Sequence, residues 1–201
     1  MTSIKKKSIS YFLGGVNGVG KSTFSTEIVT RNPEISLIKG SSFFMEWLGL
    51  DLGDYSSLRS LPKRYKHKEL NRMMISLLSN SSNKKTVLID AHYFHYNYGR
   101  LIDATGKWMS MVDVLLVITA DVKKILSRIE KDNKNRDLFY NKISEKEKEL
   151  MIEHYLEETL QKAQKISNEY KIPLFVLDNS EDNTEGVVNN FLEIHNKIIN
   201  K

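Results

Sequence analysis

The chain has 201 residues, 40% of them hydrophobic, and a formal charge of +5 at neutral pH, with an isoelectric point near 9.2. That length and apolar content suffice for one well-buried core, and no shift of composition divides the chain into two domains. With no cysteine, disulfides and thiolate metal sites are excluded, and no apolar run is long enough for a signal or membrane span, so a soluble, cytoplasmic protein without a membrane partner is expected.

The mild positive charge suits a polyanionic small molecule as well as nucleic acid. Lys5, Lys6 and Lys7 read as a solvated leader before a buried first strand. That strand is expected over residues 8–13. Directly after it comes Gly15-Val16-Asn17-Gly18-Val19-Gly20-Lys21-Ser22, a G-x-x-x-x-G-K-S pattern set between a strand and a helix that runs to about residue 30. Glycines let the backbone fold around an anion, and the free amides of the helix start, with the positive end of its dipole, form a site for a di- or triphosphate. Lys21 would reach the β and γ phosphates, and the Ser22 hydroxyl would ligate Mg²⁺.

Asn32 and Pro33 end the first helix. A short apolar run over residues 35–38 predicts a second strand, followed by Gly40, Ser41 and Ser42 as turn and helix cap. Helices are expected over residues 43–50 and 62–78, joined by a polar segment over 51–60. This insertion, residues 40–80, is too helical for a plain crossover and could wall a second substrate site. Residues 86–90 form an apolar strand ending in Asp90, a carboxylate placed to hold Mg²⁺ directly or through water. A loop rich in aromatics is expected over 91–105. There His92 and His95 lack a third metal ligand, and Tyr93, Phe94, Tyr96 and Tyr98 read as packing groups. The nearly continuous apolar run over 112–119 fits a parallel strand covered on both faces. Asp121 caps a helix over 122–130, and a polar, flexible segment follows over 131–139. A long helix is expected over 143–170, a last strand over 173–177 and a last helix over 183–199.

Five short strands alternating with helices predict an α/β fold with a parallel sheet, whose ligands collect at the carboxyl ends of the strands. Arginines grip phosphate oxygens in pairs. Arg59 lies in the helical insertion, and Arg128 and Arg136 flank the polar segment after the fourth strand. One arginine near an acceptor and two on a flap over a donor would suit phosphoryl transfer.

These segments resemble, in order, the archaeal-type adenylate kinases, a branch of the P-loop nucleoside monophosphate kinases. The likeness is carried by the loop from Gly14 to Thr23, by Leu58-Arg59-Ser60-Leu61-Pro62, and by Ile89-Asp90-Ala91-His92. It continues through the strand ending at Thr119-Ala120-Asp121, through Arg128 with Asn135-Arg136-Asp137, and ends at Leu177-Asp178-Asn179. The resemblance implies one P-loop NTPase domain, its five-stranded parallel sheet flanked by helices, with an acceptor-binding helical insertion and a short lid over residues 128–142. It implies transfer of the γ-phosphoryl group of Mg-ATP to AMP or a related nucleotide, with Mg²⁺ as cofactor. Gly15 to Ser22, Thr23 and Asn179 would hold the nucleotide, with Asn179 beside the adenine. Ser42, Arg59 and His92 would face the acceptor, Ser22 and Asp90 would hold the metal, and Lys21, Arg128 and Arg136 would neutralise the group in flight. Two alternatives stay open: a kinase for another small molecule or a nucleic-acid end, and a nucleotide-binding regulatory NTPase without transfer. A homo-oligomer is allowed, and nucleic acid is a less favoured partner that stays open.

Overall fold

Alternating apolar strands and helices build a parallel sheet in the computed structural model, which describes residues 8–81, 86–97, 100–132, 139, 143–181 and 184–200. In chain order the elements are β1 (Ser10–Gly14), α1 (Lys21–Arg31), β2 (Ser36–Lys39), α2 (Gly40–Trp47), α3 (Tyr55–Ser60) and α4 (Lys63–Ser81). Then come β3 (Val87–Asp90), β4 (Phe94–Asn97), β5 (Arg100–Asp103), a 3₁₀ turn (Lys107–Met111) and β6 (Val114–Thr119). The chain continues through α5 (Val122–Lys131), α6 (Glu145–Tyr170), β7 (Leu174–Asp178) and α7 (Thr184–Ile199).

Five strands form one sheet in the order β2-β3-β1-β6-β7, every neighbouring pair parallel. This is the expected five-stranded architecture. Because successive strand residues point to opposite faces, the sheet divides its apolar side chains between two cores. Tyr11, Leu13, Leu116, Ile118 and Leu177 pack with Phe24 and Ile28 of α1, Ile125 of α5, and Val188 and Phe191 of α7. Phe12, Ile89, Leu115 and Val117 pack on the other face with Phe44 of α2, Met73 and Met74 of α4, and Trp108. The long α6 serves both, with Ile152 and Tyr155 in the first core and Ala163 and Ile166 in the second.

Four segments depart from expectation. The polar connector over 51–60 contains α3, because the Asp54 carboxylate accepts the Ser57 N–H at 3.0 Å and so caps a helix. The aromatic loop over 91–105 contains the antiparallel hairpin β4–β5, in register His95↔Ile102, which Lys162 of α6 ties down by donating to Asp103 Oδ2 at 2.6 Å. Ser42 is no helix cap. Helix α2 already starts at Gly40, and its N-cap, Lys39, makes no side-chain capping bond. At α6 the start moves to Glu145 because Ser144 and Glu147 form a reciprocal capping box. No described helix is long and apolar enough to cross a membrane.

Candidate functional site

The register of the sheet brings the ends of its central strands to one edge. Leu13 of β1 aligns with Asp90 of β3, which aligns in turn with Lys39 of β2, and Thr119 of β6 aligns with Asp178 of β7. The loop between β1 and α1 rises from that edge. Gly18 and Gly20 adopt φ of 85° and 97°, a region that costs other residues strain. A Cβ at Gly20 would also meet Asn179 Nδ2 at 2.5 Å. Gly20 caps α1 without a side-chain bond, and no acidic residue occupies the first turn. Neither the N-cap nor an acidic first-turn residue therefore competes for the amides of the α1 start, as suits an anion site.

Lys21 is buried at 7% exposure, and its ammonium donates to the carbonyls of Gly15 at 2.7 Å and Val16 at 3.1 Å. The loop thus curls around its own cation. Ser22 and Thr23 are exposed at the helix start. Asp90 lies across from Lys21, close enough for the two charges to act on each other. Burial pushes the Asp90 carboxyl above its ordinary range, against the pull of Lys21, of the Ser25 hydrogen bond and of Lys39. That hydrogen bond runs from the Ser25 hydroxyl to Asp90 Oδ2 at 3.0 Å. Ser25 is fully buried and escapes motif reasoning, although its place three residues after Ser22 sets both on one side of α1.

A second set of contacts fixes the loop from the β7 side. Asn179 donates its side-chain amide to the Val19 carbonyl at 2.8 Å and its backbone amide to Thr119 at 2.8 Å. Its Oδ1 is buried without a hydrogen-bond partner among the described residues. Arg128 is part of the last turn of α5, within the helix expected over 122–130. Its guanidinium donates to the Asn179 carbonyl at 3.0 Å and, at longer range, to the carbonyls of Val19 and Gly18 at 3.4 and 3.5 Å. Arg136 and the rest of residues 133–138 lie outside the described residues, as do residues 140–142 of the expected lid and Tyr98.

The structure thus gathers Gly15 to Ser22, Asp90, Arg128 and Asn179 around one loop. The expected acceptor residues are spread more widely. Ser42 lines a cleft of about 290 Å³ with Lys39, Phe43 and Glu46 at the β2 edge. His92 follows Asp90 by two residues, with its ring 6.0 Å from that of His95. Arg59 is exposed on the last turn of α3, where its carbonyl accepts from Lys66 at 3.2 Å. Tyr93 packs: it is 1% exposed and meets Phe12 edge-on at 5.0 Å. Gly14 leaves room for that ring, since a Cβ there would sit 2.2 Å from it.

Solved structures share this architecture. Shikimate kinase from Acinetobacter baumannii, in complex with shikimate, matches with a TM-score of 0.62 over 94% of this chain and 95% of its own, at 11% identity. Shikimate kinase from Bacteroides thetaiotaomicron matches at 0.59 over 94% and 98%, at 15% identity. Deoxyadenosine kinase from M. mycoides with bound dATP matches at 0.54 over 94% and 100%, at 17% identity. At such identities the likeness establishes the fold, that of P-loop kinases. No curated protein sequence matches the chain. Residues 14–146 match the family model described as an AAA domain; since that span is more than half of the chain and holds the loop, Asp90 and Arg128, the protein belongs to the AAA domain family.

Proposed function

We propose that this protein transfers the γ-phosphoryl group of ATP to a small acceptor, with AMP the first acceptor to consider. The observation that carries the reading is the meeting of a buried lysine and a half-buried carboxylate, Lys21 and Asp90, under a glycine loop whose amides head α1. Fold relatives that are kinases, one holding dATP and another shikimate, support phosphoryl transfer and leave the acceptor open. AMP rests on the motif resemblance around Arg59 and Asp90.

In this reading the loop amides and Lys21 hold the β and γ phosphates of the donor. Asn179 and Arg128 keep the loop's carbonyls turned outward so that its amides face the phosphates. The Asn179 amide oxygen, buried without a partner among the described residues, is a ready acceptor for an exocyclic amino group of the base. Ser22 and Asp90 are hard oxygen donors that fit Mg²⁺, and a divalent cation would relieve the burial that raises Asp90. Bound there, Mg²⁺ supplies charge neutralisation to the phosphates. Arg59, Ser42 and His92 are assigned to the acceptor, and Arg136 to the phosphoryl group in flight. An oxygen of the acceptor attacks the γ phosphorus, the bond to the β–γ bridging oxygen breaks, and ADP leaves. Such a reaction asks the protein for position and charge and needs no covalent intermediate.

A second reading, a metabolite kinase, is favoured by the two shikimate kinases among the similar folds. A coupled ADP assay with nucleoside monophosphates, nucleosides and shikimate in parallel separates the two. Acceleration by AMP supports the first reading, acceleration by one of the others the second, and slow ADP release indifferent to every acceptor overturns both.

A further inference from the structure

The helical insertion carries a cationic face that transfer to a small acceptor does not use. Arg64, Lys68 and Arg72 are all exposed and stand four residues apart on α4, so they form one stripe about 12 Å long. Like charges at that spacing weaken a helix, and here the fold tolerates them. Between residues 59 and 72 the chain has six Lys and Arg against a single carboxylate, Glu69.

That carboxylate pairs with the stripe only at its end, with Arg72. Glu69 is only 8% exposed, and it accepts from the Trp47 indole at 3.2 Å and from Arg72 at 3.1 Å. It therefore sets an indole and a guanidinium side by side. Trp47 is 40% exposed and Tyr65 46%, and Tyr65 lies one turn before Glu69 on the same side of α4. No salt bridge engages Arg64 or Lys68 among the described residues. The exposed carboxylate nearest in sequence to Trp47, that of Glu46, lines the cleft on the β2 side.

Cations at regular spacing flanked by exposed aromatic rings match a strand of phosphates with unpaired bases. An acidic peptide would engage the cations and leave the rings idle. A membrane surface would ask α4 for a free apolar face, and that face is spent on the core through Met73, Met74 and Leu78. We propose that this face binds single-stranded nucleic acid, its phosphates along Arg64, Lys68 and Arg72 and its bases on Trp47 and Tyr65.

Fluorescence anisotropy of end-labelled oligouridylate and oligothymidylate, each about 20 nucleotides and so longer than the ~4–16 that one such module covers, tests this with the full chain. Binding is expected to fall with salt at a log–log slope of about −2, the value for three single-strand phosphate contacts. The double change Arg64→Glu with Lys68→Glu should weaken binding at least about tenfold and flatten the slope. The Tyr65→Ala change should weaken it about tenfold with the slope intact, and it leaves the Trp47–Glu69 bond in place should Trp47→Ala prove unstable. Preference for one oligonucleotide over the other would show that the sugar or the thymine methyl is read; either preference supports the proposal. Three outcomes overturn it: no anisotropy change at about 50 mM salt, equal affinity of wild type and the charge-reversed variant, or tighter binding of polyglutamate or phosphatidylserine vesicles than of either oligonucleotide.

Discussion

Lys21 and Asp90 face each other in a half-dry setting, and that setting decides what each can do. The Lys21 ammonium rests on two loop carbonyls, weak partners that a phosphate tail would replace with stronger, charge-assisted bonds. Replacing Lys21 with Ala should lower transfer on the order of 10²–10³-fold, the scale seen when a preorganised charge-stabilising donor is removed. Steady-state kinetics checks this, with a thermal melt to show that the variant folds. Asp90 has the opposite character, since burial raises its pKa in the folded chain. The folded state therefore holds the Asp90 proton more tightly than the unfolded state, so this group favours folding at acid pH and opposes it as pH rises through the folded value. Asp90→Asn should melt above wild type at about pH 8, and the difference should shrink as pH falls toward the ordinary carboxylate value of about 4. The same change should weaken the dependence of activity on Mg²⁺. A melting difference that ignores pH, or an unchanged metal titration, would contradict this account.

At the scale of elements, the loop and the helix it heads are held from two sides, α1 by β3 through the Ser25–Asp90 bond and the loop by β7 and α5 through Asn179 and Arg128. The Arg128 fork spans carbonyls on both the loop and the β7 turn, a task that a lysine's single ammonium does not repeat. Arg128→Lys should raise the KM for ATP several-fold more than the KM for the acceptor, and equal effects on both would remove Arg128 from the loop's support. The strands and the loop were legible in the sequence because their signals are local: apolar runs of strand length, then glycines and a lysine at fixed spacing. The β4–β5 hairpin was not, since Phe94, His95, Tyr96 and Asn97 show no clean apolar alternation and the pairing is secured from outside by Lys162. Helix α3 had a signal that was passed over, Asp54 three residues before Ser57. The contacts of Arg128 were not legible, because charge alone does not reveal which carbonyls a guanidinium will find.

For the whole molecule, the strand order β2-β3-β1-β6-β7 places the loop strand at the centre, so the glycine loop sits over the middle of the sheet and the insertion follows the β2 edge. Alternation of strands and helices predicted the parallel sheet. It did not predict Ser25 or the Asn179–Val19 bond, which arise only when distant segments meet. If the insertion forms the acceptor wall, Arg59→Ala should raise the KM for AMP at least about tenfold, the loss of one charge-assisted phosphate contact, and leave the KM for ATP near its wild-type value. An effect confined to ATP would misplace the acceptor. The most direct measurement of the central claim is ³¹P NMR of the wild-type chain with Mg-ATP and AMP. Transfer predicts two ADP for each ATP consumed and no inorganic phosphate, whereas one ADP and one phosphate per ATP, at a rate indifferent to AMP, would contradict it.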